Sequence, residues 1–452
     1  MSLLRRTLRG FLMAFSLMAG VPFPGKGQTA QPLTLEEAVA SAKAHHPQIA
    51  GAQAAEEQAR SAVNSAVAAR LPKITVAEDM MYSDDPVFAF GSKIRQARFS
   101  TTDFDLDSLN HPSPLGNFSA SATANWTAFD AGSTRRRVQS AASSLHAAQL
   151  QLQYTEEQVA TRIATLYYRV LMAEDEVGAA SAAQKRAQEV DADIRDRVRA
   201  GLSLESDGAR ADLAVQGAQD NLALAKDNIV LATRDLFESI GEPRSDRPLV
   251  RPDSINLPAE SPSPGDDLSG RLDLQSLRLE QRSARETLSS IKATAWPQIT
   301  AFGHIENDAE HVLSNGSGNW TVGAKIQLNL FDGGVRKPHE QEALASIHRL
   351  GAQEREAVLE AHSNIAALRN RIADLRRRLN TAGSAIQVQQ ETLQTSRDRY
   401  ASGLVSITEV LNGESELSSA EFQRIRTFYQ LCIATADVAL VDGIPTTSKA
   451  GH

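Results

Sequence analysis

A single cysteine, Cys432, sits among 452 residues, which excludes an intrachain disulfide. Its apolar, helix-like surroundings lead us to expect a buried and inert thiol. Aromatic residues make up only 5% of the chain, while Ala, Gln, Arg and Glu are abundant, a balance that favours long helices over several compact cores. No apolar run of about 18 residues follows the N-terminal stretch, so no membrane helix is available. The net charge is −8 and no Lys/Arg block forms a stripe, which makes nucleic acid an unexpected partner. Phosphate loops, dinucleotide fingerprints and Ser nucleophile elbows are missing. His339-Glu340-Gln341-Glu342-Ala343 opens like a zinc-protease motif but has Ala343 where the second His belongs. His146 and His348 have no neighbouring ligand cluster and are expected on polar helix faces. Neither an enzyme nor a cofactor is expected.

What is present starts with Arg5, Arg6 and Arg9 ahead of an apolar run from Phe11 to Val21, read as an export signal over residues 1–30. No cysteine lies beside it, so a lipid anchor on an N-terminal Cys is not expected.

The main organising feature is a repeat. Phe129-Asp130-Ala131-Gly132 returns as Phe331-Asp332-Gly333-Gly334, an offset of 202 residues. The same offset pairs His146 with His348, Arg169 with Arg371, Gly201-Leu202 with Gly403-Leu404, and Asp235 with Asp437. A register held over this span marks a tandem duplication. Upstream, Leu71-Pro72-Lys73-Ile74 pairs with Trp296-Pro297-Gln298-Ile299 at an offset of 225. Each unit reads helix, strand, loop, strand, glycine turn, very long helix, glycine turn, helix. The first unit is expected over 31–241, with strands at about 73–82 and 117–129 and a helix hairpin over 133–241. A proline-rich join, 242–265, precedes the second unit over 266–443, with strands at about 298–306 and 320–331, a hairpin over 334–442 and a tail over 444–452.

The strands alternate with period two. Phe118, Ala120, Ala122, Ala124, Trp126 and Ala128 share one face, and Ser119, Ser121, Thr123, Asn125 and Thr127 the other. Trp320, Val322, Ala324, Ile326, Leu328 and Leu330 repeat the pattern against Thr321, Gly323, Lys325, Gln327 and Asn329. Such strands suit a membrane barrel with lipid on one side and water on the other, and equally a half-buried soluble sheet. Four strands cannot close a barrel, whereas three chains sharing one would supply about 12.

No proline interrupts Ser133 to Ala200, a rod of roughly 100 Å at about 1.5 Å per residue, and the second unit matches it from Gly334 to Ser402. Ile365, Leu368, Ile372, Leu375, Leu379, Ala382 and Ile386 recur in steps of three and four, as do Leu166, Val170, Ala173, Val177 and Ala180. These narrow seams with wide polar faces fit coiled-coil packing in the wall of a hollow tube. Both rods end at glycine turns, Gly201-Leu202-Ser203 and Gly403-Leu404-Val405-Ser406, which must lie at the end far from the strands.

With the duplicated strand-pair and hairpin unit, the two Phe-Asp-x-Gly turns and the tip stretch Tyr400-x-x-Gly403 followed by Glu409-Val410-Leu411, the chain resembles the TolC family of outer-membrane efflux and secretion proteins. That resemblance implies a mainly α fold with membrane β: four β-strands per chain in a shared 12-stranded barrel, long periplasmic coiled-coil helices in an α-barrel, and a homotrimer in outer-membrane lipid. It also implies a passive duct in a tripartite efflux or type I secretion system, driven by an inner-membrane pump through a periplasmic adaptor (membrane-fusion) protein. The two tip turns would touch the adaptor. Tyr400 matches the family's entrance tyrosine and Glu409 its acidic ring, while a second acidic position falls on Asn412 and a gating arginine position on Val405. Three copies of Glu409 at a constriction would attract cations, although an acid in the first turn of a helix is also favoured by the helix dipole. A polar tunnel accommodates small molecules, metal ions and unfolded proteins alike, and the family's habits point to small-molecule efflux. The rival reading is a soluble periplasmic coiled-coil scaffold.

Overall fold

The computed structural model describes residues 31–243, 247–251, 268–312, 314 and 316–441. The expected signal, most of the proline-rich join and the C-terminal tail lie outside them.

Thr34 opens α1 (Leu35–His45) by accepting a hydrogen bond from Glu37 N at 3.1 Å. The chain then breaks at His46 and restarts with Pro47 in the first turn of α2 (Pro47–Ala68), so the first unit begins with two helices where one was expected. Four strands follow the two units in pairs: β1 (Lys73–Ser83), β2 (Leu115–Phe129), β3 (Gln298–Ala309) and β4 (Ser317–Gln327). They form one antiparallel sheet in the order β1-β2-β3-β4. The central pairing of β2 with β3 joins the two units, with Thr123 opposite His304. Among the described residues the outer edges of β1 and β4 have no partner strand.

Two expectations need correction. β4 stops at Gln327 although the apolar alternation runs on through Leu328 and Leu330, because β3 supplies no partner beyond Gln298. The connection from β1 to β2 is not a plain loop: it contains α3 (Pro86–Arg95), a short 3-10 turn at Thr101–Phe104 and α4 (Leu106–Asn110). Its start signals are local, since Asp85 accepts from Phe88 N at 2.8 Å, Pro86 occupies the first turn of α3, and Asp105 accepts from Ser108 N at 3.2 Å.

The rods are α5 (Ser133–Arg199, 67 residues) with α6 (Glu205–Ser239), and α8 (Arg336–Ala401, 66 residues) with α9 (Ile407–Val441). α7 (Leu272–Ala293) precedes β3. The 202-residue offset carries α6 onto α9, and the 225-residue offset carries α2 onto α7. α5 packs on α6, α8 on α9, and α5 also on α9, which joins the hairpins; α2 lies along α5, and α7 bridges α5 and α8.

The Phe-Asp-x-Gly turns connect strand to rod. Ala131 and Gly132 both take positive φ, 52° and 82°, as do Gly333 and Gly334 at 71° and 81°. The chain can then reverse so that Asp130 accepts from Gly132 N at 3.1 Å and Thr134 N at 2.7 Å. Asp332 accepts in the same way from Gly334 N at 3.0 Å and Arg336 N at 3.3 Å. Each aspartate thus caps the free N–H groups of a rod and faces the positive end of its dipole.

The largest core lies midway along the rods, where Leu33, Val39, Ile163, Tyr167, Leu236 and Phe237 are buried together. Leu33 forms a parallel bridge with Leu249, and the Tyr167 hydroxyl lies 2.8 Å from the Leu33 carbonyl and 2.7 Å from that of Val250. Burial pushes the Tyr167 phenol well above its usual range. Cys432 belongs to this core, and burial pushes its thiol up to about 12, so it is unreactive near neutral pH.

Candidate functional site

Two surfaces stand out: the faces of the sheet and the tips of the rods. On the sheet, Ile74, Val76, Met80, Tyr82, Trp320, Val322 and Ile326 share one face and are 69–78% exposed, an apolar patch too large for a water-facing surface. Glu78 is the one Asp, Glu, Lys, Arg or His on that face. The opposite face carries Thr123, His304 and Glu306, cross-linked by contacts of Thr123 Oγ1 with His304 Nδ1 at 2.8 Å and of Ser119 Oγ with Glu306 Oε1 at 2.7 Å. No helix among the described residues is long and apolar enough to cross a membrane. The sheet is therefore the element suited to lipid, with its apolar face outward and its polar face towards water.

At the tips, both rods end in the same motif. Gly201 N–H donates to Val198 O at 3.0 Å and Leu202 N–H to Arg197 O at 2.8 Å; Gly403 and Leu404 donate likewise to Tyr400 O and Arg399 O, each at 2.9 Å. Gly201 and Gly403 hold φ of 72° and 71°, the left-handed conformation that this helix stop requires. Beneath the turns, Ile194, Ala211, Leu393, Ile407, Val410 and Leu417 form a small core contributed by all four rod helices. Leu202, Leu204 and Leu404 remain 70–75% exposed at the extremity.

The structure brings Tyr400 and Ser203 together, their hydroxyls 3.0 Å apart, and places the Arg197 guanidinium 5.4 Å from the Tyr400 ring centroid. These contacts tie the two tips. Glu409 is exposed in the first turn of α9 and accepts from Ser396 Oγ at 3.2 Å. Asn412 is exposed one turn on, and in the turn Val405 is half-buried and Ser406 exposed. Sequence reasoning missed a network just behind them. Arg186 Nε lies 3.2 Å from Glu414 Oε2 and its Nη2 lies 2.9 Å from Glu421 Oε2, while Arg397 pairs with the other oxygen of Glu414. Glu414 is thereby held between α5 and α8, with only 12% of its side chain exposed. Arg186 and Glu414 are 228 positions apart, and only the packing of α5 on α9 makes them neighbours.

A separate cleft of about 690 Å³ lies at mid-rod, lined by His45, His46, Arg162, Arg169, Asp235 and Glu238. Burial, with help from Arg162, lowers the pKa of His46, so this ring is neutral at physiological pH.

A profile of outer membrane efflux proteins matches residues 38–242 and 264–443. The chain belongs to the outer membrane efflux protein family. As a member of that family it is an outer-membrane channel protein and not an enzyme, which sets aside the soluble scaffold. The pyoverdine export outer membrane protein OpmQ of Pseudomonas aeruginosa is 23% identical over 335 residues, spanning 73% of this chain and 69% of that protein. Nodulation protein T of Rhizobium leguminosarum is 21% identical over 341 residues, spanning 71% of each. Among solved structures, VceC of Vibrio cholerae superposes with a TM-score of 0.76 at 20% identity, covering 90% of this chain and 95% of that one. CusC gives 0.79 at 15% identity, covering 93% and 95%. The open-state MtrE channel of Neisseria gonorrhoeae gives 0.77 at 16% identity, covering 98% and 100%. The efflux family member described here thus has the TolC-like fold, with its strands at one end and its hairpin tips at the other.

Proposed function

We propose that three copies of this chain close one barrel of about 12 strands in the outer membrane, above a periplasmic tube of about 12 rod helices. The assembly is the passive exit duct of a tripartite efflux or type I secretion system. The observation that carries this reading is the sheet: an apolar face left bare, a polar face opposite, and two unpaired edges that only further copies can satisfy within lipid. A periplasmic adaptor seats on the exposed leucines of the two tip turns, Leu202, Leu204 and Leu404, and an inner-membrane pump behind it supplies the energy. Cargo is small molecules, a reading supported by OpmQ, which is named for pyoverdine export.

Tyr400 and Glu409 line the periplasmic entrance, where three Glu409 carboxylates favour cations. Planar-bilayer recording of the detergent-purified protein tests this. Discrete, cation-preferring channels are expected, with the preference reduced in Glu409→Gln. A variant that keeps full cation preference removes Glu409 from the ion path, and a protein that never inserts overturns the duct.

A further inference from the structure

Residues 84–114 connect β1 to β2 at the end of the sheet remote from the rods, and they fold back onto it. The side they choose is clear from their contacts. Gln96 Nε2 donates to the Asn117 side-chain oxygen at 2.7 Å and to the carbonyls of Gly116 and Ala309 at 3.0 and 3.3 Å. Arg95 Nη1 lies 3.3 Å from Glu306 Oε2. Asn117 in turn donates to Asp308 Oδ1 at 2.6 Å. Asn117, Glu306 and Asp308 all belong to the polar face, as the opposition of Ser119 to Asp308 and of Ser121 to Glu306 shows.

Burial gives the same answer. Asn117 and Ser119 are 8% exposed and Asp308 is 0% exposed, whereas Lys73, Thr75 and Asn125, on the same face nearer the rods, are exposed. β1 is bare at this end on both faces, with Met80 and Tyr82 on one and Asp79 and Met81 on the other. The segment therefore covers the polar face of β2 and β3 at its outer end. In the channel reading, on which this inference rests, that face lines the bore, so the segment lies inside the bore at its outer mouth.

α3 fixes what the segment turns towards the axis. Ala89, Ser92 and Gln96 lie on its buried side, 2%, 5% and 6% exposed, with Gln96 bonded to the wall and Ala89 beside Phe99 and Asp103 of the same segment. At about 100° per residue, Val87, Gly91 and Ile94 fall on the opposite side of the helix. Val87 is 80% and Ile94 50% exposed, with Gly91 between them adding no bulk. An apolar stripe aimed into a water-filled bore is unfavourable unless something covers it. Around a three-fold axis the surface that faces it is the same stripe on the other copies. The segment is also built to hold its shape: Phe99 stacks edge-on against Phe90 and Phe104 at 4.8 and 5.1 Å, and Lys93 pairs with Asp103 at 2.8 Å. The matching connection between β3 and β4, residues 310–316, is far shorter, so the duplicated unit itself does not require the insertion.

We propose that residues 84–114 of three copies meet at the bore axis through Val87 and Ile94, forming a diaphragm across the outer mouth that is seated on the wall by Arg95, Gln96 and Glu306. It screens bulky external solutes from the duct.

Thiol labelling of intact cells carrying the full-length protein tests the proposal without depending on the state of the periplasmic tip. Cys432 is buried and unreactive, so Asn125→Cys provides one reactive thiol on the polar face, about 13 Å below the Glu306 row. A small maleimide added outside is expected to label it, and a bulky polyethylene-glycol maleimide is not. Adding either Val87→Asp with Ile94→Asp, or Arg95→Ala with Gln96→Ala, is expected to raise bulky labelling about tenfold. Separately, Ile94→Cys is expected to give a disulfide-linked dimer on mild oxidation. Equal labelling by both reagents without the added substitutions overturns the diaphragm and leaves the channel standing, and Ile94→Cys that stays monomeric overturns the axial contact. If neither reagent reaches Cys at 125 in cells while both label it in detergent, the strands line no open bore, and the channel reading falls with the proposal.

Discussion

Ala131 holds a φ of 52° at the strand-to-rod turn, where its counterpart Gly333 holds 71° with no Cβ to strain. The first unit thus carries a conformational cost that the second avoids. Ala131→Gly is expected to stabilise the protein by about 1 kcal/mol, read as a higher Tm in thermal unfolding. At the neighbouring Asp130, burial works to raise the pKa, but hydrogen bonds from Thr134 and Gly132 outweigh it and leave the carboxyl below its usual value. A carboxyl lowered on folding contributes stability that is present above the unfolded pKa and is lost as pH falls through the folded one. Asp130→Ala should cost about 1 kcal/mol near neutral pH, and its Tm deficit should shrink as pH drops below about 4. The Phe-Asp-x-Gly motif was plain in the sequence as a repeated turn, but the aspartate's part as a helix cap depends on two successive left-handed residues, and an alanine at the first of them gives no hint of that conformation.

At the scale of elements, the ion-pair cluster around Glu414 couples three rods, with Arg186 on α5, Arg397 on α8 and the carboxylate on α9. Glu414→Gln removes charge-assisted bonds to two partners and is expected to weaken the coupling between hairpins by about 2 kcal/mol. Larger or more frequent openings in bilayer recordings would show it, and unchanged openings would mean that the cluster only braces the wall. The rods themselves were legible because their seams repeat every three or four residues, and every residue of the α8 seam from Ile365 to Ile386 is buried or half-buried. α3 was less so. Asp85 and Pro86 are sound start signals, but a ten-residue helix with a glycine inside it carries little periodicity. The end of β4 was misjudged for a different reason: alternation reports which face is apolar, while a strand ends where its partner does.

For the whole molecule, the repeat predicts how copies meet. The 202-residue offset maps α5 onto α8 and α9 onto α6, so in the proposed trimer the contact of α5 with α9 inside one chain predicts a counterpart between α8 and α6 of different chains. Both of those surfaces are bare in the single chain: Leu359 and Val388 on α8, and Leu213, Leu224 and Val230 on α6, are 59–71% exposed. In that arrangement the bond from Tyr429 to Asp175, at 2.8 Å, predicts Arg377 opposite Asp227 of the partner subunit, an attractive pair. Arg377→Glu should weaken the trimer by roughly 1 kcal/mol per interface in native mass spectrometry, and Asp227→Arg in the same chain should restore it. The duplication was visible in the sequence, whereas the bare surfaces and the pairing of particular side chains needed the geometry of α5 on α9. The mid-rod core has a mechanical consequence as well. Tyr167 is clamped between two backbone carbonyls, and α5 runs about 48 Å from there to Arg199, so a tilt of about 1° at the clamp swings the tip by about 0.8 Å. In the proposed assembly the rods act as levers with their fulcrum in the largest core, and the width of the periplasmic opening follows from angles at Tyr167 as much as from the side chains that line it.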